Sequence, residues 1–171
     1  MSYNRAGIRT ALIQTMKTLI AVLLLLACAY VAWPYYHVWR LDQAVIMNDR
    51  QALAAQVDLA AVREQIKRRL NKEVDSSVGE VSNAFVDWLQ DGIRRMGDKA
   101  VDELVTLDWV REQLLSKNRP GDTPGFIDRI DYAFFDRIDG FIVRIGPLDE
   151  DPVHVRLSRQ GPVWRVNAVY N

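Results

Sequence analysis

The chain is poor in the residues on which many chemistries depend. Among its 171 residues are one cysteine and two histidines. Cys28 lies inside an apolar run, so the rest of the chain has no disulfide, no thiol nucleophile and no thiolate metal site. A zinc site or a Ser-His-Asp triad would have to draw on His37 or His154. No glycine-rich phosphate loop and no G-x-S-x-G turn occurs. The acids Asp149-Glu150-Asp151 lack the capping glycine of a calcium loop. No catalytic residue, no metal site and no cofactor is therefore assigned. Surplus positive charge is missing too, since 22 Lys and Arg face 22 Asp and Glu. Without the N-terminal Arg5, Arg9 and Lys17 the remainder is acidic by three charges. That argues against nucleic acid, which needs a basic footprint.

Charge is also absent between Lys17 and Arg40. As a helix this run is about 33 Å long at about 1.5 Å per residue, enough for a hydrocarbon core of about 30 Å. Leu19 to Ala32 is almost wholly Leu, Ala, Val and Ile. Trp33, Tyr35, Tyr36 and Trp39 come next, and rings with an apolar body and a polar tip suit a membrane interface. The expected organisation is a cytoplasmic tail over 1–17, a transmembrane anchor over 18–33 and an extracytoplasmic domain over 34–171. Basic residues alone precede the run, which places the N-terminus in the cytoplasm. The domain would then be periplasmic, on a single-pass protein of a bacterial inner membrane. Two processing alternatives stay open: a cleaved secretory signal, and lipoprotein processing at Ala27-Cys28-Ala29. The run continues past Val31, which is longer than a signal needs.

The domain opens with helices. Val38, Leu41 and Val45 fall at helical spacing. Asn48-Asp49 breaks and caps, and Leu53, Ala54 and Val57 are expected to face inward. Asp58 reads as an N-cap, because a short carboxylate accepts the free amides of a first turn. The helix after it sets Leu59, Val62, Ile66 and Leu70 against a charged face. A longer helix is expected from Ser76 or Ser77 to about Met96, with a stripe through Val81, Phe85, Trp88 and Ile93. Two short helices come after it, the second capped by Thr106. Lys117 to Gly125 carries the signals of a loop.

After that loop the period becomes two. The pattern predicts a strand over 130–138, a hairpin turn at Asp139-Gly140 with positive φ, and strands through Phe141-Ile145, Val153-Leu157 and Trp164-Tyr170. Trp164, Val166, Ala168 and Tyr170 are expected on the apolar face. The fold class is α+β: a helical half over 34–117, then an antiparallel meander of three to four strands over 126–171 with one face buried.

Two resemblances arise on these residues. Tyr35-Tyr36, Leu41, Ala44, Asp49, Leu53, Val57-Asp58 and Arg63 resemble the opening of the bacterial domain-of-unknown-function family 2939. Asp136-Arg137, Phe141 to Arg144 and Gly161-x-x-Trp164 resemble its closing strands. This implies a membrane-anchored or exported protein and assigns no catalytic residue. The helix followed by Asp49, Ala52-Leu53 and Val57-Asp58 is also similar to nuclear-transport-factor-2-like cone domains, which fold helices over a curved sheet.

Two sets of side chains carry candidate chemistry. Arg144, His154, Arg156 and Arg165 lie opposite their strands' apolar residues. Stacked across strands they would take a carboxylate, a phosphate or an acidic partner. The plainer reading is a solvated face with local acidic pairing. Asp58, Asp131 and Asp136 are the acids nearest apolar sequence. Buried in a pocket, one of them would have the raised pKa that a general base needs. Otherwise Asp58 is a helix cap, and Asp131 and Asp136 are strand-edge or turn residues paired with Arg129 and Arg137. The expectation is a non-catalytic binding or interaction module at the outer membrane face. Its partners would be the lipid bilayer and an envelope protein or small anionic ligand. The alternatives are a cofactor-free enzyme using a carboxylate, and an assembly protein using the Phe85/Trp88 helix.

Overall fold

The computed structural model describes the backbone of residues 5–75 and 99–170, and side chains over 14–69 and 99–170. The expected helix with Phe85 and Trp88 lies outside the described residues.

Helix α1 runs from Arg5 to Ile46 with Pro34 inside it. The chain divides into two units, Met1–Tyr36 and His37–Asn171. In the first, Leu19, Ile20 and Val22 to Leu26 are all exposed. This helix is long and apolar enough to cross a membrane, a property that a signal sequence shares. Trp33, Tyr35 and Tyr36 are exposed as well.

In the second unit, the last turns of α1 bury Val38, Leu41, Ala44 and Val45. Asn48 ends the helix in the left-handed region with φ 51, a conformation that Asn tolerates. Asp49 then caps α2 (Arg50–Gln56), accepting from the amides of Gln51 and Ala52 at 3.0 and 2.9 Å. The structure corrects one inward residue of this helix. Ala54 is exposed, and Gln56 is buried in its place. Gln56 Oε1 lies 3.3 Å from His37 Nδ1, so two buried polar groups satisfy each other. Val57 leaves the helix in an extended conformation and bridges to Val166, and Asp58 N donates to Val166 O at 2.8 Å.

Asp58 caps α3 (Leu59–Asp75), with Oδ1 accepting from Ala61 N at 3.0 Å. Val62 and Ile66 are the buried stripe of α3, which packs on the last strand. Beyond it lie two short helices, α4 (Ala100–Leu104) and α5 (Leu107–Leu115). Thr106 Oγ1 caps α5 through Trp109 N at 3.1 Å. Lys67 ties α3 to Asp102 of α4 at 2.9 Å, and Arg111 of α5 donates to Val45 O at 3.0 Å.

The C-terminal part is a four-stranded antiparallel meander: β1 (Ile130–Arg137), β2 (Gly140–Ile145), β3 (Val153–Gln160) and β4 (Val163–Tyr170), in that spatial order. The chain is α+β, as the change of period implies. One face carries Phe141, Val143, Ile145, Val153, Val155, Leu157, Trp164 and Val166, all buried. Phe135, Phe141 and Trp164 meet edge to face on it, with centroids 5.2 to 6.4 Å apart.

Bulges, which period two does not foresee, decide the other face. A bulge adds one residue and flips the parity of the rest of its strand. In β1 the register skips Asp131 and Asp136, and in β4 it skips Asn167. Ala168 and Tyr170 are therefore not on the apolar face. They lie opposite Arg156 and His154, while Val169 turns inward against Val155. The Asp136 bulge also moves the hairpin. Its turn residues are Ile138 and Asp139, neither has positive φ, and Gly140 is already the first residue of β2.

Candidate functional site

Residues paired directly across antiparallel strands share a face. The register thus writes the outer face of the sheet as rows. One row is Tyr132, Arg144, His154 and Tyr170, one residue from each strand. The next is Phe134, Ile142, Arg156 and Ala168. Tyr132 and Phe134 are 47% and 54% exposed.

In the first row an arginine stands between aromatic rings. Arg144 lies 5.6 Å from the Tyr132 ring centroid. His154 stacks on Tyr170 at 5.2 Å with an interplanar angle of 11°. Arg69, from α3, lies over the Tyr170 ring at 4.4 Å and extends the row beyond the sheet. A guanidinium over an aromatic face is attracted by the ring quadrupole. The His154 pKa is lowered by burial first, then by the charges of Arg144 and Arg69. A hydrogen bond to Pro152 and the charge of Asp151 oppose this and do not overcome it. His154 is thus mainly a neutral ring near pH 7, with Arg144 on one side and Tyr170, which carries Arg69, on the other.

The two acids of β1 meet the arginines of this face. Asp131 pairs with Arg144 and Asp136 with Arg156, across the strands, and not with the expected Arg129 and Arg137, which meet Asp122 and Asp139. Both acids are the extra residues of bulges, which frees their side chains from the alternation. Asp136 reaches across Gly140, where an added Cβ would collide with its carboxylate. Gly140 is therefore needed for space, not for a turn. Arg156 Nε is buried with no acceptor among the described residues.

The two expected sets are thus only partly assembled. Arg144, His154 and Arg156 come together on one face. Arg165, opposite Ser158 on the same face, turns its guanidinium aside and donates to the Ala55 and Ala54 carbonyls at 3.1 and 3.2 Å, where α2 ends and has free acceptors. The three acids do not converge. Asp131 and Asp136 are in ion pairs, and Asp58 accepts from Gln160 Nε2 at 2.7 Å as well as from Ala61 N. These two hydrogen bonds, Gln160 first, lower the Asp58 pKa, the opposite of what a base near neutrality needs. Trp39 is exposed in the second unit. Among the described residues no group of His, Cys, Asp and Glu is placed to hold a metal.

Three residues that the sequence does not single out matter here. Tyr170 reads as core until the bulge is known. Arg69 reads as one of several charges on α3. Asp42, on α1, is buried and accepts from Phe126 N at 2.7 Å and Ile127 N at 3.2 Å. Val169 is the one signal available, because it breaks the alternation of β4.

These features define an α+β protein with an apolar N-terminal helix and one sheet face that carries rings and cations. Residues 23–112 match DUF2939, described as a protein of unknown function, and the chain belongs to that family. The match takes in the opening residues that carry the resemblance and ends before the strands. No curated protein and no solved structure matches the chain.

Proposed function

We propose that this is a single-pass protein of the bacterial inner membrane whose second unit lies in the periplasm. It acts as a non-catalytic binding module through the outer face of its sheet. The observation that carries the reading is the exposure of Tyr132 and Phe134 beside Arg144 and Arg156. Aromatic and arginine side chains together are the composition of binding surfaces. The apolar segment supports the anchor, since Leu19 to Leu26 finds no cover within its unit. The acids favoured for an enzyme are engaged in a cap and two ion pairs, so no observation favours that alternative.

Photo-crosslinking in intact membranes tests the reading. A photoreactive residue at Phe134 should give a discrete adduct, and one at exposed Glu112 on α5 should not. Equal labelling at both positions would sink the outer face as the binding surface.

A further inference from the structure

We propose that Arg69, His154 and Arg144 form a binding site for a phosphate group on the outer face of the sheet. This deepens the binding reading above and rests on it. The three side chains come from α3, β3 and β2. Arg144 and His154 are direct cross-strand partners. Arg69 and His154 both lie against Tyr170, at 4.4 and 5.2 Å from its ring centroid. The bulge at Asn167 creates this arrangement, because without it Tyr170 would point into the core.

The donors suit an oxyanion. Two guanidinium groups offer planar pairs of N–H donors, which match phosphate geometry. The one N–H of the neutral imidazole goes to the Pro152 carbonyl, and protonation adds a second N–H and a charge for the phosphate. The groups that face His154 are Arg144 on β2, Arg69 on α3, Asp151 just before β3 and Tyr170 on β4. Asp131 neutralises part of the Arg144 charge. Arg69 has no acid partner among the described residues, and its contact is the Tyr170 ring. A cation held on a ring face keeps the donors at its edge available. The net field on His154 is positive, since the two arginines outweigh Asp151. A phosphate there would relieve the field, and protonation of His154 would strengthen its hold. A phosphomonoester on a lipid headgroup and free phosphate share this chemistry.

Histidine NMR on the full chain decides the matter, with only His37 and His154 to resolve and a His154→Gln variant to assign them. In zwitterionic micelles, inorganic phosphate is titrated against chloride of equal ionic strength. In a parallel arm, phosphatidylcholine nanodiscs are compared with and without phosphatidic acid. The expected result is a rise in the His154 pKa of about one unit in the presence of phosphate. Arg69→Gln should weaken phosphate binding about tenfold, the loss of one charge-assisted contact. Arg69→Glu should abolish it. A shift with inorganic phosphate supports the site with a free ligand. A shift only with phosphatidic acid, lost in Arg69→Glu, supports it with a lipid headgroup. No shift in either arm, or a shift that survives Arg69→Glu, overturns the proposal. Crosslinking at Phe134 would persist in that case, so failure here is distinct from failure of the binding face.

Discussion

Asp136 of β1 and Arg156 of β3 form an ion pair that crosses the intervening strand above Gly140. The bulge at Asp136 and the missing side chain at Gly140 are both required for it. Gly140→Ala would place a methyl group on the carboxylate and is expected to cost about 1–3 kcal/mol. In an Asp136→Ala background the same change should cost much less. A double-mutant cycle by urea unfolding checks this. Strict additivity would mean that Gly140 serves some other purpose.

Arg165 should act on stability and leave phosphate binding alone. Its guanidinium closes the C-terminal end of α2 through the Ala54 and Ala55 carbonyls. Arg165→Ala is expected to lower stability by about 1–2 kcal/mol. His154 should titrate as before. A changed phosphate response in this variant would return Arg165 to the binding set.

How much of this was legible can be judged strand by strand. Phe141, Val143 and Ile145 against Ile142 and Arg144 show their period openly, and so do Val153 to Leu157. The helix caps at Asp49, Asp58 and Thr106 are local chemistry and can be read locally. The bulges are different. An extra residue changes parity without changing composition, so Tyr170 looks like core and Asp131 like an ordinary edge acid. Arg165 and Arg144 are alike in sequence, and they separate only because α2 ends beside one of them. Gly140 invites a turn reading, since the steric reason lies in a side chain four residues earlier. Asp42 lies far from Phe126 in the chain, and no local pattern announces backbone amides as its partners.

The titration of His154 gives a signed pH dependence. Its folded pKa lies below the ordinary 6.5. Between the folded value and about 6.5 the unfolded chain binds more protons than the native one. This group's contribution to stability is therefore complete above about pH 6.5 and declines as pH falls toward the folded value. Arg69→Gln removes one of the charges that lower the pKa. The His154 midpoint should move up and the pH slope of stability in this window should shrink. NMR titration and unfolding at several pH values check both. A midpoint that does not move in Arg69→Gln would mean that Arg69 does not act on the ring.

Asp58 has the same sign in a more acidic window. Its hydrogen bonds with Gln160 and Ala61 favour the carboxylate, so its folded pKa is below 3.8. Its contribution is complete above the unfolded value of about 3.9 and is lost as pH falls through the folded one. Asp58→Ala should cost about 0.5–2 kcal/mol at neutral pH, as for other N-caps. Below the folded pKa the difference from the parent chain should narrow. Unfolding midpoints of both proteins across pH 2–7 test this. A gap that widens toward acid would show that Asp58 is held for another reason.

Asp42 is the anchor between α1 and the segment that leads into the sheet. Asp42 is 4% exposed and its carboxylate receives the amides of Phe126 and Ile127, which open the 3₁₀ turn Ile127–Arg129. Gly125 leaves room for it, because a Cβ there would fall on the carboxylate. Phe126 is itself fully buried, so this hydrogen bonding sets the position of a core side chain. Asp42→Ala leaves two amides without an acceptor and opens a cavity, for an expected loss of about 2–4 kcal/mol. Asp42→Asn keeps the shape and one acceptor oxygen, and should cost less. Gly125→Ala should destabilise the parent chain and be nearly silent beside Asp42→Ala. Hydrogen exchange gives the local readout. The Phe126 and Ile127 amides should lose protection in Asp42→Ala well before the amides of β2 and β3 do. Uniform loss across the sheet would mean that Asp42 supports the whole domain and not this junction.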